Sequence, residues 1–268
     1  MTVGARVRAC FRAAVVAVLL AASISVGSDS GVSGAGAPAL GPVFHVPILL
    51  YHRIVPAAEA GGSLPALVVS PEEFATQLDA LQAAGWHSVT AAQLGRYLGA
   101  GRTPPARSFV ITIDDGTDDG FTYAYPLLRR HGFVASYFVV AGRIGQPQHM
   151  DPSQLRELAA AGNEIANHSM DHLHMTQLPH ARLARQIDDA SLAIAAITGQ
   201  RPSTFAYPFG EQDAAVAAAV GACPGLRVAF TTAAGASETW TGRYELPRLD
   251  VRPEMRPSDL LAAMDRAA

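Results

Sequence analysis

Ser108-Phe109-Val110-Ile111-Thr112-Ile113-Asp114-Asp115-Gly116 is the stretch on which the reading of this chain turns. Its first part, rich in β-branched residues, is the pattern of a buried strand, and two carboxylates stand where the hydrophobicity stops. Side chains alternate along a strand, so adjacent acids point to opposite sides. Both serve one site only if the chain bends there, which Gly116 permits. The competing reading is a solvated turn, with Asp119 capping the helix that follows.

Further strand candidates lie on either side: His45–Tyr51, Ala135–Ala141, Asn163–Asn167, Ser203–Tyr207, Leu226–Thr231 and Leu246–Val251. Between most of them run amphipathic stretches such as Pro71–Ala84, Pro152–Ala161 and Ala181–Thr198. Ser70-Pro71-Glu72-Glu73 and Asp151-Pro152-Ser153-Gln154 each supply a capping residue, a proline at the first helical position and a partner at the third. Strand-helix alternation of this kind implies an α/β fold of parallel strands with helices outside. About seven strands suit one closed or nearly closed barrel. His52, Asp114, Asp115, His168 and Phe209 then follow strand ends and converge on one mouth.

The 268 residues carry a formal charge of -3 and supply a sizeable apolar core. No basic stripe is present, which disfavours nucleic acid as a partner. Arg6, Arg8 and Arg12 precede an apolar run over 13–26, so residues 1–26 read as a signal peptide or an N-terminal anchor. No Cys follows the run, against a lipoprotein. Residues 27–43, rich in Gly, Ser, Ala and Pro, read as a flexible linker, and 44–268 as the folded domain. Cys10 falls in the export segment, leaving Cys223 alone and an intramolecular disulfide excluded.

Downstream, His168-Ser169-Met170-Asp171-His172 places two imidazoles four residues apart, a spacing that puts both on one side of a helical turn and suits Zn2+ or a similar ion. His174 is the alternative second ligand if the segment is not helical. Carboxylates and paired imidazoles together are what a metal-dependent hydrolase uses to activate water.

These fragments resemble the motifs of the polysaccharide deacetylases, the carbohydrate esterase family that shares the NodB homology domain. Thr112-Ile113-Asp114-Asp115-Gly116 is similar to its Thr-Phe-Asp-Asp-Gly, and His168-Ser169-Met170-Asp171-His172 to its His-Ser/Thr-x-x-His. The resemblance spans about residues 44 to 265 and implies a distorted barrel of β/α units. It makes Asp115, His168 and His172 the metal ligands and Asp114 the general base. Phe205-Ala206-Tyr207-Pro208-Phe209-Gly210 departs from the third motif, with Ala206 where many members carry the Arg that orients the base. A terminal Leu-x-His-Asp, the usual source of the acid, is also missing. Both absences resemble the poly-N-acetylglucosamine deacetylase subgroup, whose early Tyr-His is here Tyr51-His52, making His52 the candidate acid. Phe209, through its backbone N–H, and Tyr207 become the candidates for oxyanion and substrate binding. Arg248 is open to three readings: a pair with Asp114, a pair with Asp250, or a solvated strand end.

The resemblance implies hydrolysis of N-acetyl groups on amino sugars of a cell-wall or extracellular polysaccharide by an exported monomer. The cofactor expected is a divalent ion, Zn2+ first, with Co2+ or Ni2+ as alternatives. A catalytically inactive glycan-binding protein of the same fold and a two-carboxylate glycosidase are the rival readings.

Overall fold

The computed structural model describes residues 43–268, apart from 236 and 240. The export segment 1–26 and all of the linker except Val43 lie outside the described residues. Among those described, no helix is long and apolar enough to cross a membrane.

The sheet contains β1 (Ile48–Tyr51), β2 (His87–Ser88), β3 (Ser108–Ile113), β4 (Ser136–Val139), β5 (Glu164–Asn167), β6 (Thr204–Ala206), β7 (Val228–Phe230) and β8 (Leu249–Asp250). Seven of these run parallel in the order β7-β6-β5-β4-β3-β1-β8, and β2 pairs with the start of β3. The segment leading into β8 also reaches the far end of the path: Leu246 bridges Phe230, Leu246 N donates to Ala229 O at 2.9 Å, and Thr231 N donates to Leu246 O at 3.0 Å. Both ends of the path therefore meet on residues 246–250, and the sheet forms the distorted β/α barrel that the alternation implied.

Strand periodicity builds two layers from one sequence. Ile48, Val110, Phe138, Ala166, Ala206, Val228, Phe230 and Leu246 form one buried cluster inside the barrel. The alternate residues Leu49, Phe109, Ile111, Ile113, Tyr137 and Ile165 pack with Phe74, Leu78, Leu128 and Leu158 of the outer helices. Those helices start where the capping residues stand. In α1 (Pro71–Ala83), Ser70 Oγ accepts from Glu73 N at 3.1 Å and Glu73 Oε2 accepts from Ser70 N at 2.9 Å. Two further helices are α2 (Ala91–Gly99) and α3 (Tyr125–His131). In α4 (Pro152–Ala160), Asp151 accepts from Ser153 N and Gln154 N at 2.7 and 2.9 Å.

Several expected elements are reshaped. The run His45–Tyr51 divides at Pro47, which has no N–H to give; Phe44–His45 pairs antiparallel with Ser237–Glu238 instead of joining the barrel. Pro247 likewise shortens the strand expected over Leu246–Val251 to β8. The helix expected over Ala181–Thr198 is present and runs unbroken over 180–198, with a π-helical turn over Arg185–Asp189 set between α5 (His180–Ala184) and α6 (Ala190–Thr198). The last two helices are α7 (Ala214–Ala222) and α8 (Pro257–Ala267).

Candidate active site

Register carries Asp114 into the barrel. Val110 and Thr112 face the interior, and Asp114, two residues on, keeps that direction at the carboxyl end of β3. Only 2 % of Asp114 is exposed, and its charge has one dominant partner. Arg248 Nη1 donates to Oδ1 at 2.9 Å and Nη2 to Oδ2 at 2.8 Å, a two-pronged pair. Arg248 is itself 1 % exposed and spends its other protons on Thr231 O at 2.8 Å and Thr112 Oγ1 at 3.1 Å. Of its three readings, the pair with Asp114 is the one formed, and Asp250 pairs with Arg252. Burial opposes the Asp114 charge, but the Arg248 guanidinium, aided by His168 and His52, outweighs it and holds the carboxyl below the usual range.

The bend needed to bring the second carboxylate to the same mouth begins at Asp115 itself, with φ 73°, and continues through Gly116, φ 70°. A Cβ on Gly116 would meet Val139 Cβ at 2.9 Å, so glycine is required by both conformation and space. The bend turns Asp115 toward two imidazoles: its Oδ1 lies 3.6 Å from His168 Nε2 and 3.3 Å from His172 Nε2. One donor atom from each residue falls within a mutual distance of 4.8 Å. Three donors about 2.0–2.1 Å from a tetrahedral ion would stand roughly 3.3 Å apart, so this arrangement fits a divalent metal. The orientation of His168 fits as well. Its Nδ1 lies 2.8 Å from Ala206 O, which can only accept, so Nδ1 carries a proton and Nε2 is the nitrogen turned toward the cluster. Burial lowers the proton affinity of His172 most, the neighbouring His168 charge adds to that, and its pKa is pulled down to about 4.

The histidine segment is not helical. Residues 168–174 are irregular, and Ser169 and His172 have φ of 69° and 55°. Side chains that the sequence reading did not single out hold this shape: Asn167 Oδ1 accepts from Ser169 N at 2.8 Å, and Ser169 Oγ accepts from His172 N at 2.9 Å. Gln186 reaches in from the π-helical turn, donating to Asp171 Oδ2 at 2.8 Å and accepting from Asp171 N at 3.0 Å. A strictly α-helical path would re-aim that buried amide, which gives the widened turn a local purpose. The non-helical loop nonetheless brings His172, and not His174, to the cluster. His174 pairs with Glu211 at 2.9 Å and stacks on Phe209 with centroids 3.9 Å apart.

His52 directly follows β1, is half-buried, and lies close enough for its charge to act on both Asp114 and Asp115. Phe209 is 48 % exposed and adopts φ 60°, an unfavourable conformation for a bulky residue. Its ring meets His172 edge-on at 4.6 Å. Gly210 behind it leaves no room for a side chain, because a Cβ there would collide with Thr232 Oγ1. Tyr207 is fully buried, its hydroxyl donates to Tyr244 O at 2.9 Å and its N–H to Phe230 O at 3.0 Å, so both of its donors are committed within the protein. Asp119 is not a helix cap either; its carboxylate accepts from Arg53 Nε and Ile54 N, both at 2.7 Å.

Comparisons with known proteins place this geometry. Residues 101–227 match the family model described as polysaccharide deacetylase. The chain is 29% identical over 213 residues to the "Putative polysaccharide deacetylase YxkH" of Bacillus subtilis (strain 168), covering 80% of this chain and 74% of that protein. It is 30% identical over 108 residues to the peptidoglycan-N-acetylmuramic acid deacetylase PdaC of the same organism, spanning 40% of this chain but only 22% of PdaC. Among solved structures, the Streptococcus pyogenes deacetylase PplD in complex with acetate shares the fold, with a TM-score of 0.75, 24% identity, and coverage of 82% of this chain and 97% of PplD.

Proposed function

We propose that the chain, whose residues 101–227 match the polysaccharide deacetylase family model and which is 29% identical to a relative over 80% of its length, is a member of that family and a metal-dependent hydrolase that removes N-acetyl groups from amino sugars of a cell-wall or extracellular polysaccharide. The observation that carries this reading is the juxtaposition of two differently treated carboxylates. Asp114 is clamped by Arg248, while Asp115 faces His168 and His172.

In this reading Asp115, His168 and His172 hold a divalent ion, zinc before cobalt or nickel, which when bound polarises water and the amide carbonyl. Asp114 takes the proton of the attacking water. Arg248 keeps Asp114 ionised for that task, and each carboxylate oxygen retains a lone pair beyond the one it gives to the guanidinium. The Phe209 N–H donates to the developing oxyanion, and His52 protonates the departing amine. The apolar Phe209 ring shields the His172 side of the mouth from water. Export through the N-terminal segment belongs to the same proposal, since such polymers lie outside the cytoplasm.

The rival reading, an inactive glycan-binding protein, drew on the missing third-motif Arg and the missing terminal acid. Arg248 supplies a guanidinium to Asp114 from another strand and so removes the first of these motives.

The test is acetate release from N-acetylglucosamine oligomers and peptidoglycan fragments by the full chain, with chelation and metal re-addition, and with Asp114→Asn as control. Metal-dependent acetate from the parent, with metal retained but turnover lost in D114N, is the expected result. New reducing ends without acetate would make it a glycosidase. Metal-loaded protein that releases nothing from either polymer would favour binding alone.

A further inference from the structure

One guanidinium at the mouth is left without a partner by the chemistry described so far. The turn Ala141–Arg143 follows β4 and is fastened to the histidine loop, with Ala141 N donating to Ser169 O at 3.0 Å and Gly142 N to Met170 O at 2.8 Å. The contact is tight: a Cβ on Gly142 would meet Met170 O at 2.7 Å. Arg143, at the end of that turn, is half-buried and near enough to His172 for its charge to be felt there.

Four other arginines among the described residues are committed to carboxylates. Arg53 pairs with Asp119 at 2.7 Å, Arg185 with Asp171 at 3.3 Å, Arg248 with Asp114 at 2.8 Å and Arg252 with Asp250 at 2.9 Å. The carboxylate on the facing turn, Asp171, is taken by Arg185 and by Gln186 Nε2. Arg143 has no carboxylate, hydroxyl or carbonyl partner for its side chain among the described residues. A half-buried guanidinium gives up part of its hydration, and an anion presented at the mouth would restore what the protein does not.

We propose that Arg143 recognises an acidic substituent on the glycan, so that the preferred substrate carries a carboxylate on the N-acetylated sugar or on its immediate neighbour. The inference rests on the deacetylase reading above and narrows its substrate class. A carboxylate matches the planar fork of one guanidinium, whereas a dianionic phosphate would leave excess negative charge beside Asp115 and Asp171. Arg143 is a specificity residue in this scheme; the acetyl group itself is handled by the residues of the metal cluster and Asp114.

The experiment compares five probes on the full chain: neutral N-acetylglucosamine oligomers, oligomers with a lactyl ether carboxylate on the acetylated ring, oligomers alternating with uronate, and carboxyl-reduced versions of the last two. Binding is read by calorimetry and turnover by acetate release. The expected result is binding and KM about tenfold better for a carboxylate-bearing oligomer than for its reduced counterpart. That ratio should collapse toward one in Arg143→Gln and be partly recovered in Arg143→Lys, with metal content equal in all three proteins. Whichever acidic oligomer shows the larger ratio identifies where the carboxylate lies. No preference in the parent, or a preference that survives R143Q, overturns the proposal. Acetate release without preference would leave the deacetylase reading standing and this one refuted. Preference in binding without acetate would do the reverse.

Discussion

Replacing Arg248 is the sharpest perturbation of this site, because four hydrogen bonds and one ion pair meet in a side chain that is 1 % exposed. In Arg248→Ala the Asp114 carboxylate stays buried and loses its counter-charge. Removing one partner of such a pair costs about 3–5 kcal/mol. For a domain of this size that corresponds to a fall of roughly 10 °C in Tm. Asp114 can escape part of the cost by taking up a proton, since burial then acts unopposed by the guanidinium. If Asp114 is the base, R248A should lose about 10²–10⁴-fold in kcat at neutral pH. The acid limb of its rate profile should move upward, so that raising the pH recovers part of the rate. Arg248→Lys keeps a charge but not the fork and should fall between the two. The pair replaced by apolar residues, Arg248→Met with Asp114→Leu, should regain most of the stability while remaining inactive, because a buried pair is worth little net against apolar packing. Urea unfolding and pH-rate profiles on the four proteins decide it. An R248A protein within about 1 kcal/mol of the parent, or one whose acid limb does not move, would refute the account of Arg248.

Two further outcomes are expected. Asp115→Ala or His172→Ala should reduce retained metal at least about tenfold after dialysis, whereas His174→Ala should not; metal stripped by H174A would reverse the ligand assignment. Glu238, buried with Oε2 accepting from Val46 N at 2.9 Å and Oε1 unpartnered, has its pKa pushed up to about 8 by burial. Its folded value exceeds its unfolded one, so the folded state holds a proton that the unfolded state has lost. Stability should therefore fall by up to about 1.4 kcal/mol per pH unit as pH rises from the ordinary carboxylate range to about 8, and level off above it. Glu238→Gln should flatten that slope, and equal slopes in urea titrations of the two proteins would rule the attribution out.

Legibility differed between parts of the molecule for physical reasons. β3 was readable because it is buried on both faces, so its sequence is a continuous apolar run whose end is marked by two acids. The capped starts of α1 and α4 were readable because a cap is a local exchange of hydrogen bonds among residues adjacent in sequence. β2, with only His87 and Ser88, carries too little pattern to be seen. The spacing of the histidine pair suggests a helical turn, yet the pair lies in a loop shaped by Asn167, Ser169 and Gln186. Those three are polar residues whose partners come from the surrounding fold, and no periodicity announces them. Arg248 stayed open between three readings because a cation beside a strand end looks solvated until barrel closure brings β3 and β7 around it.

That closure explains how the site does without the Arg that the family resemblance leads one to expect at the position of Ala206. Ala206 belongs to the apolar interior cluster on β6, and its carbonyl is already engaged in orienting His168. The guanidinium is delivered instead from residues 246–250, a segment hydrogen-bonded to both ends of the strand path. Its grip runs from Thr231 O beyond β7 to Thr112 Oγ1 and Asp114 on β3, while Arg248 N is held by Ala233 O at 2.9 Å. The same residue thus seals the interior beneath the mouth and sets the charge state of the carboxylate above it. Competence of Asp114 is thereby tied to an intact closing strand, and any opening of the barrel at residues 246–250 removes the counter-charge that keeps Asp114 ionised.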